Sequence, residues 1–222
     1  MASDQARSLA GGLILALYAG VRLDEDLKIG PFGRPELAQG SPSISLSHSG
    51  DYVALALFGR RVGADVEEIR PRSPLLAGRL LSPDEKRELD RNGGSPAALI
   101  ALWTRKESLG KADGRGLSLT GSPGVLSDFA SLNGRRYRLW TGLLPGGAKA
   151  ALCPEQASPE AVLSIAAEVE KGGPEGLRLE QAQEPPAIAS AERQLAGFLE
   201  RSLEKGSSFG GPLESDQAPA SL

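Results

Sequence analysis

Polar and apolar positions alternate in the first half of the chain, and this pattern predicts a small antiparallel sheet. Residues 43–48 (SISLSH) alternate as a half-buried strand does. A turn at 49–51 leads into a second predicted strand, Tyr52–Phe58, and a turn at 59–60 leads into a third, Val62–Val66. Together the three strands are predicted to form a meander.

Helix-start signals follow the predicted meander. Ser82 is followed by Pro83 and then by Glu85, which gives a capping box with proline at the first helical position. We expect this helix to stop at 92–94 (NGG). Ser95-Pro96 opens a longer helix through Ala112, closed by Asp113-Gly114.

Beyond the helices, residues 137–143 and 147–153 flank Pro145-Gly146 and predict a hairpin. Helices that interrupt antiparallel strands, rather than alternating with parallel ones, indicate an α+β fold.

The N-terminal stretch is predicted to be a helix over residues 3–20, followed by a Gly/Pro-rich loop over residues 29–42. Residues 9–19 (LAGGLILALYA) are apolar and could instead be the core of a signal peptide. They are too few to span a bilayer, and Asp4 lies where a signal peptide would carry positive charge. A buried first helix is therefore the preferred interpretation.

The segment after about residue 171 is rich in Gly, Pro, Ser, Gln and Glu, a composition typical of disorder. Within it, residues 189–205 carry Leu195, Phe198, Leu199 and Leu203 at helical spacing. This stretch is either a helix that docks on the body or on a partner, or a marginal helix in a flexible tail. Isolated helices of this length are barely stable, which favours the second interpretation.

Composition narrows the classes of function. The chain has 222 residues and a formal net charge of −3, which gives no general attraction to nucleic acid or to acidic membranes. One Cys and one His exclude a disulfide framework and a zinc site built from those residues. The single Cys153 suits the reducing cytoplasm.

Two acidic residues on the third predicted strand are candidates for metal ligation. Asp65 and Glu67 are two residues apart, so their side chains face the same way on an extended chain. Like charges in this position repel unless a cation lies between them, and carboxylate oxygens suit a hard ion such as Mg²⁺. With Glu68 beside them, they could also be an ordinary acidic strand end in solvent.

Further candidates lie on the long predicted helix and in the first turn. Trp103, Glu107 and Lys111 are four residues apart and share one helix face, although such a Glu–Lys pair is usually a surface ion pair. His48 follows Ser47 at a strand end before Gly50, and a turn of this kind can present donors to a phosphate.

Taken in order, these segments resemble the 4′-phosphopantetheinyl transferase superfamily, and most closely its longer, monomeric Sfp-type members. WTRKESLGK (103–111) is similar to the family's W-x-x-K-E-x-x-x-K signature, and VGADVEEI (62–69) to its G-[IV]-D-[IV]-E motif. SISLSHSG (43–50) and GRP (33–35) are similar to its S-H-S-G and G-K-P motifs. The resemblance covers residues about 5–155.

The resemblance implies a fold and a reaction. The fold would have two similar lobes, each a small antiparallel sheet with packed helices, at 1–58 and 59–171, with a tail at 172–222. The reaction would be of the holo-acyl-carrier-protein synthase type, which moves the phosphopantetheine arm of coenzyme A onto a serine of an apo acyl or peptidyl carrier protein. It would need Mg²⁺, with Mn²⁺ as an alternative, and would be carried out by a cytoplasmic monomer that binds neither nucleic acid nor membrane.

The resemblance also implies roles for individual residues. Metal ligands would be Asp65, Glu67 and Glu107, and catalytic residues would be Glu107 and Lys111. The coenzyme A site would comprise Arg7, Gly33, Arg34, Pro35, Ser47, His48, Asp65 and Lys111. Trp103 would be a packing residue.

Two departures from the family pattern leave alternatives open. Arg34 stands where the family has lysine, and the match begins almost at Met1, where relatives of this length class carry further residues. The start of the N-terminal lobe is therefore expected to be truncated, or the chain to belong to a short subfamily. A coenzyme A-binding scaffold that has lost transfer is one alternative. An unrelated Mg²⁺ phosphohydrolase is another, but it would not explain the SHSG and GRP segments.

Overall fold

The computed structural model describes residues 11, 12, 15, 26–30, 34–116, 123–144 and 159–170. All strand pairings among them are antiparallel. The strands are β1 (Leu27–Ile29), β2 (Pro35–Leu37), β3 (Ser43–Ser49), β4 (Tyr52–Phe58), β5 (Val62–Glu68), β6 (Phe129–Leu132), β7 (Arg135–Leu144) and β8 (Ala161–Val169). The helices are α1 (Pro74–Leu80), α2 (Pro83–Arg91) and α3 (Pro96–Asp113). The predicted α+β fold class is confirmed.

The first two predicted strands form a hairpin, but the third does not extend it. β3 pairs with β4 from Ser43 opposite Phe58 to Ser49 opposite Tyr52, as expected. β5 instead pairs with β8, so the predicted three-stranded meander is wrong in its third strand.

Side chains explain this difference. Every second residue from Ser45 to Ser49 on β3 is a serine whose hydroxyl lies against β5. Each hydroxyl accepts a hydrogen bond from a backbone N–H group of β5 that would otherwise bond a neighbouring strand. The pairs, at 3.0, 3.3 and 3.2 Å between oxygen and nitrogen, are Ser45 with Ala64, Ser47 with Val66 and Ser49 with Glu68. We call these three serines the serine row.

The larger sheet has the strand order β5-β8-β7-β6. β7 contains the predicted strand 137–143, and it pairs with β8 along one edge and with β6 at its start. Its predicted hairpin partner, 147–153, lies outside the described residues. The sequence analysis did not predict β6 or β8.

Both predicted helices are confirmed with their caps. Ser82 and Glu85 form the reciprocal capping box of α2, and Gly114 closes α3 in the left-handed conformation at φ 85°. The short helix α1 was not predicted, although Ser73-Pro74 carries the same serine–proline start signal.

Helix α3 covers the larger sheet and forms the main core with it. Leu99, Leu102 and Leu109 of α3 pack with Tyr137 and Leu139 of β7. The polar residues of the candidate site lie beside this core, where α3 packs against the edge strand β5 of the same sheet.

The prediction of an unbroken loop over 29–42 is wrong, because Pro35–Leu37 forms β2 and pairs with β1. Leu37 lies in a small core with Ile44 and Leu15, which is 1% exposed. Leu15, Gly11 and Gly12 have helical conformation, which agrees with the predicted buried first helix at those positions.

Other expectations fall on residues that are not described, including most of the first helix and the tail at 172–222 with its helix at 189–205. The lobe boundaries at 58 and 171 remain predictions. No helix in the described ranges is long and apolar enough to cross a membrane.

Candidate active site between β5 and α3

The site depends on an unusually close approach of β5 to α3 at Gly63. A Cβ atom added to Gly63 would lie 1.9 Å from the carbonyl oxygen of Ser108 and 2.4 Å from the amide nitrogen of Ala112. Any side chain there would push the strand away from the helix. Glycine at position 63 therefore brings the acidic strand against the helix that carries Glu107 and Lys111.

Asp65 is the most buried member of the site. Its Oδ1 accepts hydrogen bonds from Ser47 Oγ at 2.8 Å and from Lys111 Nζ at 2.7 Å, and Lys111 also donates to Ser47 Oγ at 3.0 Å. Its Oδ2 is buried and accepts no hydrogen bond from the described residues. A buried carboxylate oxygen without a donor is costly, so this atom is a strong candidate for ligation.

Glu67 is held by two donors at the same oxygen. Its Oε2 accepts from Ser49 Oγ at 2.8 Å and from the guanidinium of Arg72 at 2.8 Å. Ser49 belongs to the serine row and repeats for Glu67 what Ser47 does for Asp65. The strand spacing of the two serines thus matches the spacing of the two carboxylates.

Glu107 shares the electrostatic environment of both acids on β5. Burial raises the pKa of Glu107, the negative charge of Asp65 raises it further, Lys111 opposes the rise, and Glu67 adds to it. The two β5 carboxylates and the α3 carboxylate therefore interact, which agrees with the grouping that the family resemblance implied.

These residues fit a hard divalent cation by their chemistry and by the buried free oxygen of Asp65. As the side chains are placed, however, no three His, Cys, Asp or Glu residues in the described ranges are arranged to hold a metal ion. Lys111 and Arg72 instead supply positive charge to Asp65 and Glu67. The assignment of the three carboxylates as metal ligands remains a prediction.

Glu68 lies against the turn between β3 and β4 and not with the three candidate metal ligands. It is 3% exposed, and its Oε1 accepts from the backbone N–H of Asp51 at 3.4 Å. A Cβ on Gly50, whose φ is +54°, would lie 1.6 Å from the same oxygen. Gly50 is thus required both by the turn and by the Glu68 carboxylate, which shapes the end of the β3–β4 hairpin.

The other predicted coenzyme A contacts are spread more widely. His48 is exposed and lies on the face of β3 opposite Ser47, because successive strand residues point to opposite sides. Pro35 starts β2. Arg7 and Gly33 lie outside the described residues, so all four assignments remain predictions.

Arg34 is committed to the protein's own backbone. Its guanidinium donates to the carbonyl oxygens of Lys111 at 2.9 Å, Ile44 at 3.0 Å and Val62 at 3.0 Å. It therefore ties the end of α3 to β3 and β5. The predicted contact of Arg34 with the nucleotide is not tested by these bonds and remains a prediction.

Sequence reasoning missed two charged contacts, one made by a residue of β5 and one by a residue of α3. Arg72 reaches Glu67 from the segment after β5, and no motif marks it. Lys106, which was assigned no role from the sequence, forms a fully buried ion pair with Glu85 at 2.9 Å. The capping box marked Glu85, but its second role could be found only from the fold.

Comparison with known proteins agrees with the motifs. Residues 61–152 match the family model of the 4′-phosphopantetheinyl transferase superfamily. The 4′-phosphopantetheinyl transferase psf-1 of Bacillus pumilus is 38% identical over 89 residues, which cover 39% of this chain and 38% of that protein. A 4′-phosphopantetheinyl transferase of Bacillus subtilis is 28% identical over 124 residues, covering 52% of this chain and 55% of that protein.

A third relative, the 4′-phosphopantetheinyl transferase Sfp of Bacillus subtilis strain 168, is 36% identical over 79 residues, covering 34% of this chain and 35% of that protein. The chain thus aligns with about half or less of the length of these curated relatives. The stretch matched by the family model contains Asp65, Glu67, Glu107 and Lys111. Residues 61–152 therefore belong to the 4′-phosphopantetheinyl transferase superfamily, as the motifs predicted.

Proposed function

We propose that the protein transfers the 4′-phosphopantetheine arm of coenzyme A to a serine of an apo acyl or peptidyl carrier protein. The products would be the holo carrier protein and adenosine 3′,5′-bisphosphate. The observation that carries this proposal is the shared electrostatic environment of Asp65, Glu67 and Glu107 beside Lys111, where the pKa of Glu107 is raised by burial and by both β5 acids.

Asp65, Glu67 and Glu107 would hold Mg²⁺ against the diphosphate of coenzyme A, with Mn²⁺ as an alternative. When bound, the ion would neutralise negative charge on the diphosphate oxygens as the bond to phosphorus breaks. The free buried oxygen of Asp65 supports this assignment, since a cation would provide the partner that the described residues do not.

Glu107 would accept a proton during the reaction, and Lys111 would stabilise the negative charge of the leaving group. The carrier serine oxygen forms a new bond to the phosphorus next to the pantetheine arm, and the bond from that phosphorus to the bisphosphate product breaks. Glu107, or a water that it orients, takes the serine proton. Lys111 stabilises the charge of the departing phosphate.

Ser47, His48, Arg7 and the segment 33–35 would line the coenzyme A site. The carrier protein would be the macromolecular partner, and the enzyme would act as a cytoplasmic monomer. Ser47 has direct support for a place in the site, because its hydroxyl bonds both Asp65 and Lys111.

Mass spectrometry tests the proposal directly. The full chain is incubated with coenzyme A, Mg²⁺ and each of several apo carrier proteins, one from fatty-acid synthesis, one from a polyketide synthase and one from a peptide synthetase. We expect at least one carrier to gain the mass of phosphopantetheine. The matched control is the same carrier with its acceptor serine replaced by alanine, which should gain none.

The two alternatives give different results in the same experiment. Tight coenzyme A binding without mass gain on any carrier would favour a scaffold that has lost transfer. Release of phosphate without carrier modification would favour a hydrolase. Either result would contradict the proposed transfer.

A further inference from the structure

Arg72 lies beside the candidate metal ligands, yet none of the sequence motifs includes it. It is on the segment between β5 and α1, five residues after Glu67, with 35% of its side chain exposed. Its guanidinium bonds Oε2 of Glu67 at 2.8 Å and lies 5.6 Å from the ring centroid of Trp103. Arg72 therefore bridges β5 and α3 on the side of the site.

The position of Trp103 fixes which face of the helix Arg72 covers. Trp103 precedes Glu107 by four residues, so the two side chains lie on the same face of α3. Stacking on an aromatic ring holds a guanidinium in place while leaving its N–H groups able to bond a carboxylate. Arg72 is thus placed at the edge of the three-carboxylate group and not on a remote surface.

We propose that Arg72 is an internal counter-ion that competes with the divalent cation for Glu67. This inference rests on the proposed function, because it takes Glu67 as a metal ligand. The positive charge of Arg72 offsets mutual repulsion between the carboxylates in the metal-free protein. A cation that binds Glu67 through Oε2 must share that oxygen with Arg72, and one that binds through Oε1 is repelled by the positive charge of Arg72. In both cases Arg72 lowers the apparent affinity for the metal.

Ser49 holds the Glu67 carboxylate in place independently of Arg72, so removing Arg72 changes the charge beside Glu67 and not its orientation. Ser49 bonds the same Oε2 of Glu67 and also accepts the backbone N–H of Glu68 at 3.2 Å. Loss of Arg72 would therefore remove a positive charge from Glu67 while the serine row still orients the carboxylate. Removing Arg72 should expose a metal ligand that is already in place.

Binding of Mn²⁺ to the full chain, followed by the electron paramagnetic resonance signal of the free ion and measured both without and with coenzyme A, tests the inference. An exposed or partly exposed ion pair is worth about 0.2–1 kcal/mol, so Arg72→Gln should bind Mn²⁺ about 1.4- to fivefold more tightly than the unchanged protein. Arg72→Lys keeps the charge and should lie closer to the unchanged protein.

Arg91→Gln is the matched control. It removes the same unit of charge and breaks a comparable pair, Arg91 with Glu88 at 3.0 Å, within α2. If Arg72→Gln binds Mn²⁺ no more tightly than Arg91→Gln, the competition is refuted while the metal site stands. If neither the unchanged protein nor any variant binds Mn²⁺, the metal assignment itself fails, and this inference fails with it.

Discussion

Lys106 and Glu107 are neighbours in α3, but the charged groups around them are satisfied to very different degrees. Lys106 is fully buried and donates to Glu85 at 2.9 Å and to the carbonyl oxygen of Pro123 at 3.1 Å. Glu85 in turn accepts the backbone N–H groups of Ser82 and Val125 at 2.8 and 3.0 Å. Each carboxylate oxygen of Glu85 thus has a donor.

The pKa values follow this difference. Burial alone would raise the pKa of Glu85, but hydrogen bonds from Ser82, Lys106 and Val125 outweigh it, so the pKa of Glu85 is lowered. Burial also raises the pKa of Glu107, and there the nearby acids add to the rise. The charge is matched where α3 meets α2, whereas three carboxylates face the two cations Lys111 and Arg72 where α3 meets β5.

The charged groups on the two sides of α3 have different consequences, one for stability and the other for function. A matched buried pair fixes how the elements pack, whereas an unmatched group of acids lowers stability in the metal-free protein and is explained by a ligand. The predictions below change one side of this comparison at a time, beginning with the largest expected effect.

Replacing Lys106 with methionine should have the largest effect on stability. It leaves the Glu85 carboxylate buried without its cation, and breaking a buried pair typically costs about 3–5 kcal/mol. The free energy of unfolding, measured by urea titration, should fall by this amount.

The double variant Glu85→Met with Lys106→Met is the control for that experiment. Apolar replacement of both partners removes the unpaired charge, so the double variant should regain part of the lost stability. The rest stays lost, because Ser82 and Val125 no longer donate to Glu85. If Lys106→Met and the double variant are equally unstable, the pair does not act through charge.

Replacing Gly63 with alanine should separate β5 from α3. The added methyl group would lie inside contact distance of two backbone atoms of α3, and overpacking of this kind costs about 1–3 kcal/mol. Transfer should also fall, because the carboxylates of β5 move away from Glu107.

Gly59→Ala is the matched change for Gly63→Ala, because a Cβ at Gly59 meets nothing within 4 Å. It should leave unfolding and transfer nearly unchanged. Normal transfer by Gly63→Ala would show that close packing of β5 on α3 is not needed for the site.

Replacing Glu107 with glutamine should stabilise the metal-free protein at neutral and higher pH while abolishing transfer. A carboxyl group whose pKa is higher in the folded state favours folding below its ordinary pKa and loses that contribution as pH rises through the folded value. The variant loses this pH dependence, because the amide does not ionise.

Melting temperatures in a chelator-containing buffer test this sign. Relative to the unchanged protein, Glu107→Gln should melt higher at pH 8 and lose this advantage toward pH 4. A variant that melts lower at pH 8 would mean that the acids on β5 do not destabilise the Glu107 carboxylate.

The smallest effect is expected on the surface of α2. Arg91 and Glu88 form an exposed pair, and pairs of this kind contribute about 0.2–1 kcal/mol. Arg91→Gln should therefore change the urea midpoint slightly and leave the transfer rate unchanged. A large loss of activity would mean that Arg91 and the surface of α2 contribute to the candidate site.

Local signals in the sequence predicted the parts of the fold that depend on neighbouring residues. The capping box at Ser82 and Glu85, the left-handed Gly114 and the alternation of 43–48 all act within a few positions, and each element was found. The partner of β5 was not predicted, because β8 lies about a hundred residues away in the chain. The serine row belongs to β3 and bonds the N–H groups along one edge of β5, so the sequence of β5 alone does not indicate it.

In the candidate site, too, local features were predicted from the sequence and contacts between distant segments were not. Spacing indicated that Asp65 and Glu67 share a strand face and that Glu107 and Lys111 share a helix face. It did not indicate that Gly63 joins the two faces, or that Arg72 reaches Glu67, because both depend on which backbones meet in the fold. The ion pair of Lys106 with Glu85 was not predicted for the same reason.

Counting bound Mn²⁺ ions in the presence of coenzyme A tests the central claim most directly. The unchanged protein should bind one ion per chain. The isosteric variants Asp65→Asn, Glu67→Gln and Glu107→Gln should each weaken that binding strongly, because each removes one charged oxygen donor. Unchanged Mn²⁺ binding by all three variants would contradict the claim that acids from β5 and α3 share a single cation.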